Sequence, residues 1–386
     1  MKRTIFSLTA LALAGLTITA CSDDDNGKSQ KQLVVENYAN IVYQNYKDAL
    51  TDAETLEAAI NTFTANPNQD TFDDAKDAWK DARESYGTTE AFRFANGPID
   101  DENGPEGLLN AWPLDENYID YVDNNGTPLY GGIINSTAIY PTLSKELLES
   151  LNEGGGEKNI SVGYHAIEFL LWGQDLTAPS AFLAGQRSYT DYTTGQNAER
   201  RKQYLNICAD LLTDHLTYLV DLWAPGGDYR STFLSLNTDT ALTNIYLGIA
   251  TLATAELPVE RMSVALNNAD QEDEHSCFSD NTHRDITQNL QGIINVYHGT
   301  YGSISGPSLA DLVEKANEEY YTSTEAAITD AQTKVAAMYI PFDYAISGGA
   351  SSAEGAKVKA AYDAIKDNFG ANLLAGSVAL GLTVNP

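Results

Sequence analysis

The sequence predicts an all-α protein built from two helical-bundle domains of the four-helix-bundle type. Apolar residues recur at spacings of three and four through most of the chain, and the strict alternation typical of strands is nearly absent. The breaks between these periodic segments are few and rich in Gly, Pro, Asn and Asp. With 386 residues, of which 43% are hydrophobic, the chain is long enough for two domains of ordinary size.

The first 20 residues are expected to form a signal peptide. A basic "MKR" precedes the apolar "TIFSLTALALAGLTITA", which is short for a membrane span. Ile18-Thr19-Ala20-Cys21 resembles a bacterial lipobox, in which the cysteine is lipidated, although an ordinary secretory signal remains an alternative. The acidic residues 21–31 then form a flexible tether. We therefore expect secretion across the inner membrane and a lipid anchor in the cell envelope, on the periplasmic face or the cell surface.

The net charge of −31 limits the partners of the protein. Nucleic acid requires a basic surface, and anionic membrane surfaces repel an acidic one, so the expected membrane contact is the anchor at Cys21 alone. Cys208 and Cys277 are the other cysteines. They allow one disulfide or two free buried thiols, and the sequence does not decide between these.

The helical stripes are readable from the N-terminus onwards. The first helix carries its apolar face on Val35, Tyr38, Val42, Tyr46 and Ala49, and the second on Phe72, Ala75, Trp79 and Ala82. Later helices are predicted at about 198–223, 240–266, 283–298, 308–320, 323–340 and 352–367. Pro258 is expected to bend the helix that contains it.

Two segments interrupt the helical pattern. Residues 96–141 form a long connection dense in Gly, Pro, Asn and Asp, and its aromatic and aliphatic residues predict that it is ordered and functional. Residues 267–282 form a polar joint between two strong helices. A weaker break at 177–197 places the domain division there, with an N-terminal bundle at 32–190 and a C-terminal bundle at 191–386.

A titratable pair lies inside the apolar stretch "GYHAIEFLLWGQDL", residues 163–176. His165 and Glu168 share one helix face, and Gly163 allows another backbone or a ligand to come near. Imidazole and carboxylate together suit iron, zinc or manganese. The alternative is a buried histidine that is hydrogen-bonded to its helix neighbour.

The polar joint carries a second cluster, and "NNADQEDEHSCFSDNTHRD" holds two of the five histidines. Its titratable residues are Asp270, Glu272, Asp273, Glu274, His275, Cys277, Asp280, His283, Arg284 and Asp285. Cys277 and Phe278 predict that part of the joint is buried, where carboxylates need partners or metals. The alternative is a solvated loop, and Ser279 or Asp280 is expected to cap the helix that begins near 281.

"GYHAIEFLLWG" resembles the Gly-x-His-x-x-Glu motif of the imelysin-like family, and "FRFANGPID", "AWPLDENYID" and "QEDEHSCFSDNTHRD" resemble further blocks of its iron-regulated branch. The resemblance implies two four-helix-bundle halves with a site between them, a bacterial envelope location, and iron uptake or homeostasis. Its hallmark positions are Gly163, His165 and Glu168. From chemistry we add Asp100, Trp112, Asp115 and Cys277 to the site, and Glu272, Glu274, His275, Asp280 and His283 to the metal ligands.

The expected function is capture of a metal ion or iron chelate between the bundles. Iron is the expected metal, and zinc or another divalent metal is the alternative. An envelope iron-transport protein is a possible partner. A metal-dependent peptidase is the second hypothesis, although the chain lacks His-Glu-x-x-His and Phe169 follows Glu168. A scaffold that docks on another protein is the third. If His165 binds the metal, affinity is expected to weaken below the ordinary histidine pKa of about 6.5.

Overall fold

A computed structural model describes residues 27–386. The predicted signal peptide, the lipobox with Cys21 and the first part of the tether lie outside the described residues. Within residues 27–386, no helix combines the length and the apolar character that crossing a membrane requires.

Helices account for most of the described chain. They are α1 Gln30–Ala65, α2 Gln69–Thr89, α3 Glu106–Leu109, α4 Glu116–Ile119, α5 Gly132–Asn135, α6 Lys145–Leu151, α7 Tyr164–Trp172, α8 Ala198–Trp223, α9 Asp228–Ser235, α10 Thr238–Thr251, α11 Val264–Asn268, α12 Thr282–His298, α13 Leu309–Ala316, α14 Glu318–Ala336, α15 Phe342–Ile346, α16 Ala353–Asp363 and α17 Ala371–Ala379. The strands are β1 Val122–Asp123 and β2 Pro128–Leu129, then β3 Thr300–Tyr301 and β4 Ile304–Ser305, each pair antiparallel. The predicted all-α fold is confirmed.

The long helices of the N-terminal half pack on one another. The helix α1 begins at Gln30, inside the segment predicted as a tether, because Ser29 and Gln32 form a reciprocal capping box. α1 packs against α2 and α8, and the fully buried α7 lies against α2 and α8. α8 occupies the predicted range 198–223. The predicted domain division assigns α8 to the C-terminal bundle, and that division stays a prediction.

The C-terminal half is built around one nearly continuous helical run. α10 and α11 are joined by a π-helical stretch, Leu252–Ser263, which contains Pro258. Proline lacks the N–H that an α-helical turn requires, and the wider π turn accommodates that loss, so the predicted distortion takes this form. α12 packs on both α2 and this π stretch, and thus links the two halves.

Helix ends near 317 differ from the prediction. The break predicted at 320–323 lies instead at Asn317, whose side chain accepts a hydrogen bond from the Tyr320 amide and caps α14. Apolar periodicity continues on both sides of this residue, so the pattern alone does not locate the break.

The connection 96–141 is ordered, as predicted. It contains α3, α4, α5 and the β1–β2 hairpin, and it buries Leu109, Ile119, Ile133 and Ile134 in the core. The short helices α3 and α5 pack on α8, and Leu109 lies beside Gly163 at the start of α7, so that residues 110–112 are positioned at the site described below.

Candidate functional site

His165 and Glu168 lie on one face of α7 and are buried, with 1% and 0% of their surface exposed. His165 Nδ1 lies 2.8 Å from Glu168 Oε2, as the spacing predicts. The other ring nitrogen, Nε2, is buried and has no hydrogen-bond partner among residues 27–386. The hydrogen bond within the pair therefore gives Nδ1 a partner but leaves Nε2 without one. Buried ring nitrogens ordinarily have a hydrogen-bond partner, so the burial of Nε2 needs another explanation.

Glu168 connects α7 to the polar joint. Its Oε1 accepts hydrogen bonds from the Ser279 amide at 2.9 Å and the Ser279 hydroxyl at 2.7 Å. The helix α7 and the polar joint are therefore in contact, although Glu168 and Ser279 are 111 residues apart in the sequence. The expected capping of α12 by Ser279 or Asp280 is wrong, because the helix begins after Asn281 without a side-chain cap. Ser279 instead satisfies a buried carboxylate, which has the greater need of a donor.

A second histidine–carboxylate pair lies beside the first. His275 Nδ1 lies 2.8 Å from Asp285 Oδ2, and the rings of His275 and His165 meet edge to face with centroids 4.6 Å apart. Each imidazole therefore has its Nδ1 on a carboxylate. Such contacts orient a metal-ligating histidine and leave Nε2 as the ligand atom.

A buried arginine supports the second pair. Arg83 donates from Nε at 3.2 Å and Nη2 at 2.9 Å to Asp285 Oδ1, and from Nη1 at 2.6 Å to Asn110 Oδ1. Burial alone would raise the pKa of Asp285, but the charge of Arg83 and the contact with His275 hold it well below its usual range. We therefore assign Asp285 as ionised and the His275 proton to Nδ1.

A second ion pair continues this network. Asn110 Nδ2 donates to Glu90 Oε1 at 3.2 Å, and Arg261 Nη2 donates to Glu90 Oε2 at 2.7 Å. Burial would raise the pKa of Glu90, but Arg261 and Arg93 hold it at about 2. The charges around the histidines are thus paired.

A small cavity opens beside His275, whose ring contacts that of His165. Its volume is about 150 Å³, and its lining consists of Arg93, Glu106, Asn110, Ala111, Trp112, Glu153, Glu256, Glu260, Arg261 and His275. Ligand pockets for larger organic molecules usually measure about 300–1,000 Å³, so this cavity suits an ion or a small ligand. A wider groove of about 520 Å³ between α1 and α8 contains none of the predicted site residues.

Both histidines are neutral in the physiological range. Burial, followed by the charge of Arg83, lowers the pKa of His165 to about 3. Burial and Arg261 lower the pKa of His275 to about 3 as well. Because the imidazoles then stay neutral below pH 6.5, a loss of metal affinity through proton uptake is expected at a lower pH than the ordinary histidine pKa indicates. Burial raises the pKa of Glu168 to about 8, against the opposing effect of the Ser279 hydrogen bonds.

Other predicted positions have local structural roles. Gly163 precedes α7 with φ 89°, and a Cβ there would lie 2.6 Å from the Leu109 carbonyl oxygen, so the close neighbour is backbone. Asp115 is exposed and caps α4. Asp100 accepts a hydrogen bond from the Phe94 amide at 2.6 Å and pairs at 3.3 Å with Arg93, which lines the cavity. Trp112 does line the cavity, with its ring 5.7 Å from His275.

The predicted metal ligands are not all brought to one point. Glu274 is buried, and the charges of Asp343, Asp280 and Asp175 act on it. Glu272 is exposed, and the charge of Glu116 acts on it. The set divides between two neighbouring residues, because Glu274 lies near the carboxylates of Asp343 and Asp280 whereas His275 contacts Asp285.

Two further members of the predicted site have other surroundings. The Nδ1 of His283 lies 3.1 Å from the backbone oxygen of Asp280, within the first turn of α12. Cys277 is buried, and burial raises its thiol pKa well above its usual range. Cys208 is also buried, and neither cysteine forms a disulfide. A protonated thiol is a poor nucleophile, which argues against Cys277 as a reactive group.

The arginines of the site were missed from the sequence, although a signal exists. Arg83 extends the apolar stripe of α2 at the i+4 position from Trp79, and Arg261 follows Leu257 in the same way. An arginine on a buried helix face requires a carboxylate partner, so these two positions are the signal from which buried ion pairs could have been predicted.

The fold and the site define an all-helical protein with two adjacent buried histidine–carboxylate pairs, of which the His275 pair borders a small polar cavity. The chain belongs to the Imelysin family (peptidase M75), which it matches over residues 42–370. It is 27% identical over 316 residues to Iron-regulated protein A of Synechococcus elongatus, covering 78% of this chain and 72% of that protein. A crystal structure of a candidate iron-regulated protein A precursor from Parabacteroides distasonis is similar with a TM-score of 0.71 and 19% identity, covering 93% of this chain and 97% of that one.

Proposed function

We propose that this protein is a lipid-anchored protein of the bacterial cell envelope that binds iron, or a small iron-containing ligand, in iron uptake or homeostasis. The name of the Synechococcus relative supports a connection with iron. The observation that carries the proposal is the buried His165 Nε2, which has no hydrogen-bond partner beside a second imidazole.

The residues present fit a metal that prefers nitrogen and oxygen donors. With Nδ1 of each ring on a carboxylate, Nε2 of His165 and of His275 are the candidate ligand atoms. Both oxygens of Glu168 are already engaged, by His165 and by Ser279. Glu168 therefore fits the role of orienting His165. From the sequence we expected it to be a direct metal ligand, and the engaged oxygens fit that role less well.

The cavity supports a small ligand. Two imidazoles leave most positions around a metal ion to water or to groups of a bound chelate. The carboxylates and arginines that line the cavity can hold polar groups of such a ligand, and Trp112 covers one side of His275. The volume of about 150 Å³ favours a metal ion or a compact chelate over a large one.

Anaerobic calorimetric titration of Fe²⁺ and Zn²⁺ against the purified protein tests the proposal. The wild type is expected to bind metal, and His165→Gln to lose at least about tenfold in affinity while it keeps its circular dichroism spectrum. His298→Gln is the matched control, because His298 lies in the last turn of α12, is partly exposed and pairs with Glu325. No metal binding by the wild type, or unchanged binding by His165→Gln, would contradict the proposal.

The anchor is tested separately. Expression of the full chain with and without Cys21→Ser, followed by membrane fractionation and labelling with a fatty-acid analogue, should show label and membrane association only with the cysteine. Equal labelling of both forms would exclude Cys21 as the attachment point.

A further inference from the structure

A second group of titratable side chains lies on the other side of the polar joint. Asp175 follows α7, Asp280 belongs to the joint, and Asp343 lies in the first turn of α15. One carboxylate oxygen from each lies within 4.8 Å of the others, and no other such group of three or more acidic, histidine or cysteine ligand atoms occurs in residues 27–386. Three negative charges at this separation repel one another strongly when they are partly shielded from water.

The cluster contains buried oxygen atoms without a partner. Asp343 is 1% exposed, and its Oδ2 makes no hydrogen bond within the described part of the chain. The neighbouring Glu274 is also 1% exposed, and neither of its oxygens has a hydrogen-bond partner of ordinary geometry, although Thr282 partly offsets its raised pKa. Unpartnered buried carboxylate oxygens are rare because the loss of hydration is costly, so each one requires an explanation.

The local electrostatics show that the negative charge is uncompensated. Burial, with the added charge of Asp343, raises the pKa of Asp280 to about 7. Burial and Asp175 raise that of Asp343 to about 6. Lys80 opposes the shift of Asp280 only weakly. These carboxylates contrast with Asp285, whose charge is paired with Arg83.

We infer that Asp175, Asp280 and Asp343 form a second cation site, which binds Ca²⁺ or a similar hard divalent cation through oxygen atoms, and that the buried Glu274 nearby adds to its negative charge. The three ligands are all carboxylates, and hard cations prefer such a set, whereas imidazole suits iron and zinc. Ca²⁺ is favoured over Mg²⁺ because it accepts irregular geometry and more ligands.

The position of this site suggests what the cation does. It ties the chain after α7 and the start of α15 to the joint. Asp280 directly follows Ser279, which donates two hydrogen bonds to Glu168. A bound cation would therefore hold the joint in the position that orients His165. The inference rests on the carboxylate cluster and does not depend on iron binding at the histidines.

Calcium titration by calorimetry, with thermal unfolding at zero and millimolar Ca²⁺, tests the inference on the purified protein. The wild type is expected to bind one equivalent and to unfold at a higher temperature with Ca²⁺. Asp343→Asn and Asp280→Asn should each weaken binding at least about tenfold and lose the temperature shift. Asp74→Asn, at an exposed position of α2, removes the same charge elsewhere and should behave as the wild type.

Two further measurements separate loss of the site from loss of the fold. Without Ca²⁺, Asp343→Asn should unfold at the same temperature as the wild type or higher, because it removes a buried repelling charge. His165→Gln should leave calcium binding unchanged. Absence of calcium binding by the wild type, or wild-type affinity in both aspartate variants, would overturn the inference.

Discussion

Substitution of Glu168 by glutamine tests how the buried pair on α7 prepares His165. The amide oxygen can still accept from the Ser279 amide and hydroxyl, and the amide nitrogen then faces His165 Nδ1. A glutamine amide only donates from that nitrogen, so Nδ1 must accept and the ring proton moves to Nε2. That tautomer offers no lone pair for a metal at Nε2.

The wild type differs because the Glu168 carboxyl group, unlike a glutamine amide, can lose its proton. Burial raises the pKa of Glu168 to about 8, so the carboxyl group can lose its proton when a metal binds, whereas the amide keeps both of its protons. Substitution of groups that orient a ligating histidine typically costs about 10- to 100-fold in metal affinity. That range corresponds to about 1.4 to 2.7 kcal/mol of binding free energy.

The fold should tolerate this change. All three hydrogen bonds of the Glu168 side chain have counterparts in the glutamine, so the free energy of unfolding should change by about 1 kcal/mol or less. Glu168→Ala should behave differently, because it strands three buried polar atoms at about 1–3 kcal/mol each. Comparison of the two variants thus separates the tautomer effect from general destabilisation.

The assay combines anaerobic Fe²⁺ calorimetry, urea unfolding and ¹⁵N spectra of the histidine side chains, which distinguish the two tautomers. Glu199→Gln, with 85% of its side chain exposed, is the matched control and should resemble the wild type. Wild-type metal affinity in Glu168→Gln would refute the reasoning, and so would an Nδ1 proton on His165 in that variant.

Three other predictions concern the scaffold. Burial would raise the pKa of Asp120, but Arg187 and Arg201 hold it at about 2 against its usual 3.8, so its ionised form adds about 2 kcal/mol above pH 4 that is lost as pH falls through 2. Between pH 6 and 2, the free energy of unfolding in urea should therefore fall by about 2 kcal/mol more in the wild type than in Asp120→Asn, which keeps the contributions of Glu90 and Asp285, and parallel curves would contradict this. Gly163→Ala should lower the free energy of unfolding by about 2 kcal/mol or more, because residue 163 has φ 89° and the new Cβ would lie 2.6 Å from the Leu109 carbonyl oxygen. An unchanged melting temperature would disprove this contact. In the chain without its first 21 residues, Cys208 and Cys277 should react with a thiol reagent only after denaturation, since both are buried.

Most of the fold was predictable because the helical stripes are long. α8 follows its predicted range, and Pro258 distorts its helix as expected. The helix break at Asn317 was not predictable, because a helix cap is a local hydrogen bond that apolar periodicity does not encode. The path of residues 96–141 also depends on tertiary packing, with Leu109 and Ile119 buried against other segments.

The site was predictable only in part. The contact of Glu168 with the joint follows from two polar clusters in an apolar frame, which need each other as partners. Asp343 was not found, because a single aspartate near a helix start ordinarily reads as a cap. Its role depends on the distant Asp175 and Asp280, and no spacing in the sequence relates these three.

The joint separates two kinds of ligand chemistry. On one side, His165 and His275 present neutral imidazoles, which favour iron or zinc. On the other side, the aspartate cluster presents oxygen alone, which favours hard cations that imidazole binds poorly. Ca²⁺ should therefore not compete with iron for the histidines. If bound Ca²⁺ holds the joint in place through Asp280 and Ser279, it should raise the affinity of the histidines for iron. Reciprocity of binding free energies then requires iron to raise the affinity for Ca²⁺ by the same factor.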